Sequence, residues 1–389
     1  MFQISLISTF KLIQVIRLLF AVFVLGNFVD AIAQKRVRDY GIEMGVLQPG
    51  AHNAITDVKG VLVGHLTLME GEKVRTGVTA IVPHDKNIFQ NKVPGAIYVG
   101  NGFGKLAGST QVEELGNIET PIILTNTLSV AQGLEGLIDY TLSFEENKEV
   151  RSVNGIVGET NDSGLNDIQG RHVKKEHVLE AIKNAKSGKV VEGSVGAGTG
   201  TICFGFKGGI GTSSRVLPKE LGGYTVGVLT QTNFGGVLQI DGVPVGEELG
   251  QYAYKKSIEG SVDGSCMMVV ATDAPLDARN LERLAKRAIM GLAKTGGIAS
   301  NGSGDYVIAF STNESIRVPY QSEPIKAYTY LNNDYMSPLF MATIEATEEA
   351  IINSLFAAKE VGKLRNGDEV KSLPVEKVME LMKKYNRIR

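Results

Sequence analysis

The 389-residue chain has a formal net charge of −2, with 43% hydrophobic and 21% charged residues. This near-neutral balance gives no electrostatic basis for binding nucleic acid or an anionic surface, and the length allows one large domain or two. The 46 glycines and the absence of tryptophan favour tight turns and backbone-lined pockets over an aromatic stacking platform. Cys203 and Cys266 lie in neither a CxxC nor a metal-ligand spacing, so both are interpreted as small apolar residues.

Residues 1–33 have the pattern of a Sec-type signal peptide. Lys11 and Arg17 supply positive charge, an apolar run follows, and Ala31–Ala33 provides the small-x-small cleavage motif. The apolar run is short for a bilayer span, although an uncleaved membrane anchor is the alternative interpretation. The sequence therefore predicts a secreted or periplasmic mature chain that starts at Gln34 and has no further membrane segment.

Strand-like runs and helical periodicity alternate along 34–389 without a linker, which favours a single layered α/β domain. Strands are predicted at Gly60–Leu66, Gly77–Pro83, Ile122–Thr125, Tyr224–Thr230, Met267–Ala271 and Tyr306–Ser311. Helices are predicted at Val130–Phe144, Lys174–Ala185, Leu276–Leu292 and Met341–Ala358. Periodicity alone leaves open whether the sheet is doubly wound and parallel or part of an αββα sandwich.

The sequence offers no metal or phosphate signature. The closest histidines, His172 and His177, are five residues apart, which does not place both rings on one helical face. The glycine-rich segment Gly193–Gly200 lacks the GxGxxG spacing and the Walker lysine, and a strand-like run follows it. We therefore expect no metal and no cofactor, and interpret the segment as a loop whose bare backbone approaches a ligand or another part of the chain.

Residue patterns alone do not identify a catalytic serine. No GxSxG elbow is present, and Gly-Ser dipeptides occur at 108, 193, 260, 264 and 302. By itself, Ser303–Asp305 is typical of a turn before a strand, and Glu159 of an N-cap or a surface charge. The residues alone thus indicate a secreted α/β protein with a glycine-rich cleft.

An ordered series of motifs nevertheless resembles the L-aminopeptidase/D-amidase-esterase (DmpA-like) and β-peptidyl aminopeptidase family. The resemblance covers nearly all of the mature chain. Its motifs lie at Asn53–His65, Thr125–Leu128, Val157–Asp162, Leu165–Ile168, Phe206–Arg215, Asp263–Ser265, Ala271–Pro275 and Asn301–Asp305.

The resemblance implies an αββα sandwich that is similar to the N-terminal-nucleophile hydrolases but has a different topology. It also implies an inactive precursor that cuts itself between Gly264 and Ser265, giving an α chain, 34–264, and a β chain, 265–389. The freed α-amine of Ser265, with an ordinary pKa of about 7.7–8.0, is then one candidate base for its own hydroxyl. Gly264 would tolerate the strained backbone that this cut requires.

The same resemblance assigns roles to four further residues. Ser303 would position the nucleophile, and Asp305 would orient that network and stabilise positive charge beside it. Asn233 would donate to the oxyanion of the tetrahedral intermediate. Glu159 would bind the free ammonium group of the substrate, which explains release of a single N-terminal residue. Asn161 stands where some relatives carry a tyrosine, so it is left off the catalytic list.

The expected function is therefore that of a self-processing serine aminopeptidase or amidase. Its substrates would be small peptides, aminoacyl amides or esters, and its assembly a homo-oligomer of α/β heterodimers. An acyltransferase similar to the ornithine acetyltransferases and a non-catalytic binding protein on the same fold are the alternatives. The preference among L-α, D-α and β-amino acids depends on pocket shape and is not fixed by the sequence.

Overall fold

The computed structural model describes residues 35–253 and 264–388, so the predicted signal peptide at 1–33 lies outside the described residues. The strands are β1 (Leu62–Glu70), β2 (Val74–Val82), β3 (Asn91–Gly102), β4 (Leu106–Ala107), β5 (Asn117–Ile118), β6 (Ile122–Asn126), β7 (Ile156–Thr160), β8 (Ile202–Cys203), β9 (Phe206–Lys207), β10 (Gly209–Val216), β11 (Thr225–Asn233), β12 (Gly264–Thr272), β13 (Ser303–Ser311) and β14 (Val318–Pro319). The helices are α1 (Ser109–Leu115), α2 (Val130–Leu142), α3 (Lys175–Lys183), α4 (Val245–Glu248), α5 (Ala278–Lys294), α6 (Ser337–Ala357) and α7 (Val375–Lys384).

Two mixed sheets form the centre of the molecule. The five-stranded sheet has the order β1-β2-β6-β7-β4, and the larger sheet has the order β10-β11-β12-β13-β3-β14, with β5 also paired to β3. Most neighbours are antiparallel, but β6 pairs with β7 and β12 pairs with β13 in parallel. Because the parallel pairs need crossovers, α2 follows β6 and α5 follows β12.

Three apolar layers separate the two sheets and their helices. The layer between the sheets includes Val63, Leu124 and Ile156 from one sheet, and Leu229 and Val269 from the other. The outer face of the larger sheet packs against α5, α6 and α7, and the outer face of the smaller sheet packs against α2 and α3. This is the four-layer αββα arrangement that the family resemblance implies.

Each predicted helix and strand matches a described element, with ends displaced by up to four residues. The sequence did not predict the strands β3, β7 and β10, the helices α1, α4 and α7, or the two-residue strands other than β8. Helix α5 begins at Ala278, where the Asp277 side chain accepts the amide hydrogen of Asn280 at 2.8 Å. In the turn before it, Asp273 accepts the Thr225 amide hydrogen.

The glycine-rich segment Gly193–Gly200 approaches other parts of the chain. A Cβ on Gly198 would lie 2.4 Å from the Ile210 nitrogen, and one on Gly200 would lie 2.1 Å from the Arg75 carbonyl oxygen. These approaches confirm the interpretation of the segment as bare backbone packed against neighbouring strands.

A buried ionic cluster joins α6 to β10. Arg215 is fully buried and pairs with Glu345 at 3.0 Å and with Glu349 at 2.8 Å. Arg38 and Asn53 complete the carboxylate shell of Glu349. We call these five residues the Arg215 cluster. It fixes the N-terminal segment of the described chain against the back of the larger sheet.

Candidate active site

Three neighbouring strands of the larger sheet bring the expected catalytic residues to one end of that sheet. Asn233, the last residue of β11, pairs with Ser265 on β12. On the other side of Ser265, β13 begins with Ser303 beside Gly264, Gly304 beside Ser265 and Asp305 beside Cys266. Residues far apart in sequence therefore become neighbours through strand register alone.

The Ser265 hydroxyl lies against the bond that the sequence resemblance marks for cleavage. Its Oγ donates to the Gly264 carbonyl oxygen at 2.5 Å, and the Gly304 amide points to the same Oγ at 3.4 Å. The side chain is only 5% exposed. A hydroxyl held in this position is confined to the neighbourhood of the Gly264 carbonyl, a proximity that lowers the entropic cost of attack.

Gly264 lies where a side chain would not fit. A Cβ at this position would lie 2.9 Å from the Phe234 Cα and 3.1 Å from the Phe234 Cβ. The glycine is therefore needed because β12 passes close to the end of β11.

Ser303 and Asp305 are buried polar residues with unmatched atoms. Each is 1% exposed, and among the described residues neither the Ser303 hydroxyl nor either Asp305 carboxylate oxygen has a hydrogen-bond partner of good geometry. Burial raises the pKa of Asp305 to about 6, although the nearby Ser303 hydroxyl and Cys266 amide act to lower it. The described part of the uncleaved chain thus leaves these groups available for a new partner.

Strand alternation separates these two residues from the nucleophile's hydroxyl. Ser265 shares its face of β12 with Met267, which packs between the sheets, whereas Cys266 packs toward the helices. Asp305 pairs with Cys266 and acts on the backbone amide of that residue. Ser303 and Asp305 therefore flank the peptide backbone next to Ser265 rather than its hydroxyl.

The Asn233 side chain is held from two sides. Its Oδ1 accepts the Ile202 amide hydrogen at 3.0 Å, and its Nδ2 donates to the Asn161 carbonyl oxygen at 3.1 Å. This pairing fixes which end of the amide carries the hydrogens. Among the described contacts the second Nδ2 hydrogen is not engaged, so it can serve a ligand at the end of β12.

Glu159 is a buried strand residue, which overturns its interpretation as an N-cap or a surface charge. It lies on β7 and is 3% exposed. Its carboxylate accepts the Lys105 amide hydrogen at 3.0 Å and the hydroxyl hydrogen of Thr127, with the Lys105 ammonium 3.9 Å away. The side chain of Lys105 is 57% exposed, so another cation can compete for this carboxylate from the solvent side.

A short series of close approaches connects Glu159 to the nucleophile. A Cβ on Gly304, the strand partner of Ser265, would lie 3.3 Å from the Gly104 Cα. A Cβ on Gly104 would in turn lie 3.1 Å from a Glu159 carboxylate oxygen. The structure therefore brings the expected ammonium-binding carboxylate to the same site as Ser265, across two glycines.

Sequence reasoning missed several groups at this site. Thr127 lies within a motif that we quoted for the resemblance, but the motif gave it no role. Tyr306 lies beside Gly104 and donates its hydroxyl hydrogen to the Gly102 carbonyl, and burial together with Glu159 and Asp305 raises its pKa. Asn161 contributes its carbonyl to Asn233, whereas its exposed side chain accepts the Ser163 amide hydrogen.

Within 35–253 and 264–388, no group of three or more His, Cys, Asp or Glu side chains is arranged to hold a metal ion. Over the same residues, no helix combines the length and apolar character needed to cross a membrane.

Comparison with known proteins places this geometry in a family. The sequence profile of peptidase family S58 matches residues 53–368. The beta-peptidyl aminopeptidase BapA of Sphingosinicella microcystinivorans is 41% identical over 378 residues, covering 91% of this chain and 93% of the relative.

Solved structures agree with that match. The PH0078 protein of Pyrococcus horikoshii OT3 has a TM-score of 0.83 at 49% identity, covering 91% of this chain and 100% of that chain. The L-aminopeptidase D-Ala-esterase/amidase of Ochrobactrum anthropi, described as a variant of the Ntn hydrolase fold, has a TM-score of 0.82 at 34% identity, covering 91% of this chain and 99% of that one. The predicted fold class is therefore confirmed, and the chain belongs to peptidase family S58.

Proposed function

We propose that this protein is an exported serine aminopeptidase that activates itself by cutting the Gly264–Ser265 bond. Family membership makes it a peptidase, and its relatives include aminopeptidases. The observation that carries the finer proposal is the Ser265 hydroxyl, which lies 2.5 Å from the carbonyl oxygen of its own preceding residue. Export is proposed from the signal-peptide pattern of residues 1–33 alone.

Self-cleavage would start from this placement and proceed by an N-to-O acyl shift. The Ser265 Oγ bonds to the Gly264 carbonyl carbon, the Gly264–Ser265 C–N bond breaks, and the hydroxyl proton ends on the departing nitrogen. Water then hydrolyses the ester, which leaves a carboxylate on Gly264 and a free hydroxyl and α-amine on Ser265.

Peptide hydrolysis would reuse the same atoms. The Ser265 hydroxyl attacks the substrate carbonyl, its proton passes through the α-amine to the leaving amine, and water resolves the acyl-enzyme. Asn233 offers its second Nδ2 hydrogen to the oxyanion. Ser303 and Asp305 flank the new α-amine, so the carboxylate stabilises the ammonium form while it carries the proton.

Glu159 would limit this chemistry to chain ends. A substrate ammonium group can replace Lys105 beside the carboxylate, whereas a blocked or internal residue would leave Glu159 desolvated without a cation. The acyl group accepted by Ser265 would therefore come from an α- or β-amino acid with a free amine, or from its amide or ester.

The test is release of p-nitroaniline from L-, D- and β-aminoacyl anilides and from their N-acetylated forms. We expect hydrolysis of one or more free-amine substrates and no hydrolysis of the acetylated ones. Replacing Glu159 with Gln should lower kcat/KM about 100-fold, because it removes one member of a buried charge pair. Glu119→Gln is the matched control, since Glu119 is similarly buried but bonds to Asn154. Turnover of no free-amine substrate, or equal turnover of acetylated ones, would contradict the proposal.

A further inference from the structure

Lys207 is a fully buried lysine that the proposed chemistry does not use. It lies on β9, in a motif that the sequence comparison marks without giving it a role. Its Nζ donates to the carbonyl oxygens of Gly198 at 2.9 Å, Thr201 at 2.9 Å and Gly208 at 2.7 Å. An ammonium group has three hydrogens, and these three carbonyls use all of them.

The three carbonyls require the charged form of the side chain. A neutral amine has two hydrogens and a lone pair, so deprotonation would turn that lone pair toward one of the carbonyl oxygens. Burial lowers the pKa of Lys207 to about 7, and Cys203 and Asp162 are the titratable groups among the described residues that act to raise it. Burial raises the pKa of Cys203 to about 12, so this thiol stays neutral, while Asp162, with a pKa raised by burial to about 6, is ionised above that pH.

The Lys207 contacts continue directly to Asn233. Thr201, whose carbonyl accepts from Lys207, precedes Ile202, and the Ile202 amide donates to Asn233 Oδ1 at 3.0 Å. Ile202 is also the strand partner of Lys207 in the β8–β9 hairpin. The position of the Asn233 amide therefore depends on a hairpin that the Lys207 ammonium holds in place.

We propose that Lys207 is a positioning residue for the oxyanion donor, and that its ammonium group orients Asn233 by fixing the Thr201–Ile202 backbone. The inference rests on the proposed role of Asn233. If Lys207 acts only through Asn233, removing the Lys207 charge should cost activity only while Asn233 is present.

A double-mutant cycle tests this with Lys207→Met and Asn233→Ala, using an aminoacyl anilide at about pH 6.5. Asn233→Ala should lower kcat about 100-fold. Lys207→Met should lower kcat about 10-fold with KM unchanged in the wild type, and less than about 2-fold in the Asn233→Ala background. Phe206→Leu is the control, because Phe206 is buried in the same hairpin without bonding to this backbone. Its effect should be the same in both backgrounds.

Equal losses from Lys207→Met in the two backgrounds would overturn the positioning role and leave the proposed function intact. An Asn233→Ala variant with wild-type kcat would overturn both. A variant that does not cleave itself fully accumulates as precursor, and its kcat cannot be compared. The half-time of its cleavage on a denaturing gel then replaces kcat in the double-mutant cycle, because cleavage also forms an oxyanion at this strand end.

The pH dependence gives a second test. The ratio of wild-type kcat to Asn233→Ala kcat cancels the titration of Ser265 and Asp305, which both enzymes share. We expect the ratio to fall by up to about 10-fold between about pH 6.5 and pH 9 as Lys207 loses its proton, while Asp162 completes its ionisation near the lower limit. The same fall in the Lys207→Met background, which has no amine at this position, would overturn the inference.

Discussion

The larger sheet contains two buried polar regions that differ in whether their polar atoms have hydrogen-bond or ionic partners. In the Arg215 cluster, the guanidinium group meets Glu345 and Glu349, and Asn53 and Arg38 also bond to Glu349. At the end of β12 and β13, the Ser303 hydroxyl and both Asp305 carboxylate oxygens have no partner of good geometry among the described residues.

The two carboxylates respond to burial in opposite ways. Burial acts to raise the pKa of Glu349, but the Arg215 and Arg38 guanidinium groups outweigh it and hold that pKa below its ordinary value. Burial raises the pKa of Asp305 to about 6, and no cation among the described residues acts to lower it. Buried polar groups that have all their partners, as in the Arg215 cluster, help to specify one fold. Buried polar groups without partners, as at the end of β12 and β13, cost stability, and proteins keep them where a ligand or a new charge will bind to them.

The largest expected effect comes from breaking the satisfied region. Arg215→Met should lower the free energy of unfolding by about 3–5 kcal/mol, because it leaves the buried Glu345 without its cation and Glu349 with Arg38 alone. Urea unfolding in the Ser265→Ala background, which should keep the chain in one piece, measures this. Arg279→Met is the matched control, because Arg279 is 57% exposed and should contribute less than about 1 kcal/mol. A loss of less than about 1 kcal/mol for Arg215→Met would contradict the contrast between the two regions.

The second effect is a pH dependence of opposite sign in the two regions. Because the folded pKa of Asp305 is raised, the folded state binds more protons than the unfolded state between about pH 4 and 6, so its contribution to stability falls as pH rises through that window. Asp305→Asn should remove this penalty and raise stability at pH 7 by up to about 3 kcal/mol. Glu349→Gln should instead remove stability that is present at neutral pH and lost as pH falls.

Urea titrations of both variants from about pH 4 to 7, in the Ser265→Ala background, measure these slopes. Each variant is compared with its parent at every pH, which isolates the replaced group from the other carboxylates. A destabilising Asp305→Asn change at pH 7 would show that Asp305 is satisfied in the uncleaved chain.

A smaller effect is expected at the proposed cleavage bond. Gly264→Ala places a methyl group 2.9 Å from the Phe234 Cα, so β12 must shift by a few tenths of an ångström. We expect a stability loss of about 1–3 kcal/mol and cleavage slowed about 10-fold, because the hydroxyl and carbonyl lose their alignment. A time course on a denaturing gel measures the rate, and Gly362→Ala, where an added Cβ would lie an ordinary 3.6 Å from Arg75 Nε, is the control. Equal slowing by both variants would contradict the close-approach argument.

The sequence predicted the elements in which apolar residues recur with a clear periodicity, and it missed strands in which polar or small residues are buried. Strand β10 contains two glycines and Thr212–Arg215, a pattern typical of a loop. All but its last residue are buried because Glu192 and the Arg215 cluster satisfy its polar groups. Strand β3 was missed because Pro94 and Gly95 interrupt its apolar run.

The site residues were found only through the family resemblance, because register cannot be read from single residues. Asn233, Ser265 and Gly304 meet across three strands, and nothing in their spacing predicts this. The motifs also mixed two kinds of residue: Asn53 and Arg215 belong to the ionic cluster, while Ser265 and Asp305 lie at the strand end. Lys207 had no signal beyond its motif, since its role depends on three carbonyls that only the folded hairpin brings together.

The most direct measurement of the account is the N-terminal sequence of the purified protein's chains. The wild type should give two bands on a denaturing gel, with the smaller one starting at Ser265 as Ser-Cys-Met-Met, and Ser265→Ala should give one intact chain. Both results follow from the position of the Ser265 hydroxyl against the Gly264 carbonyl. An intact wild-type chain, or a Ser265→Ala variant that still cleaves at this bond, would contradict the account.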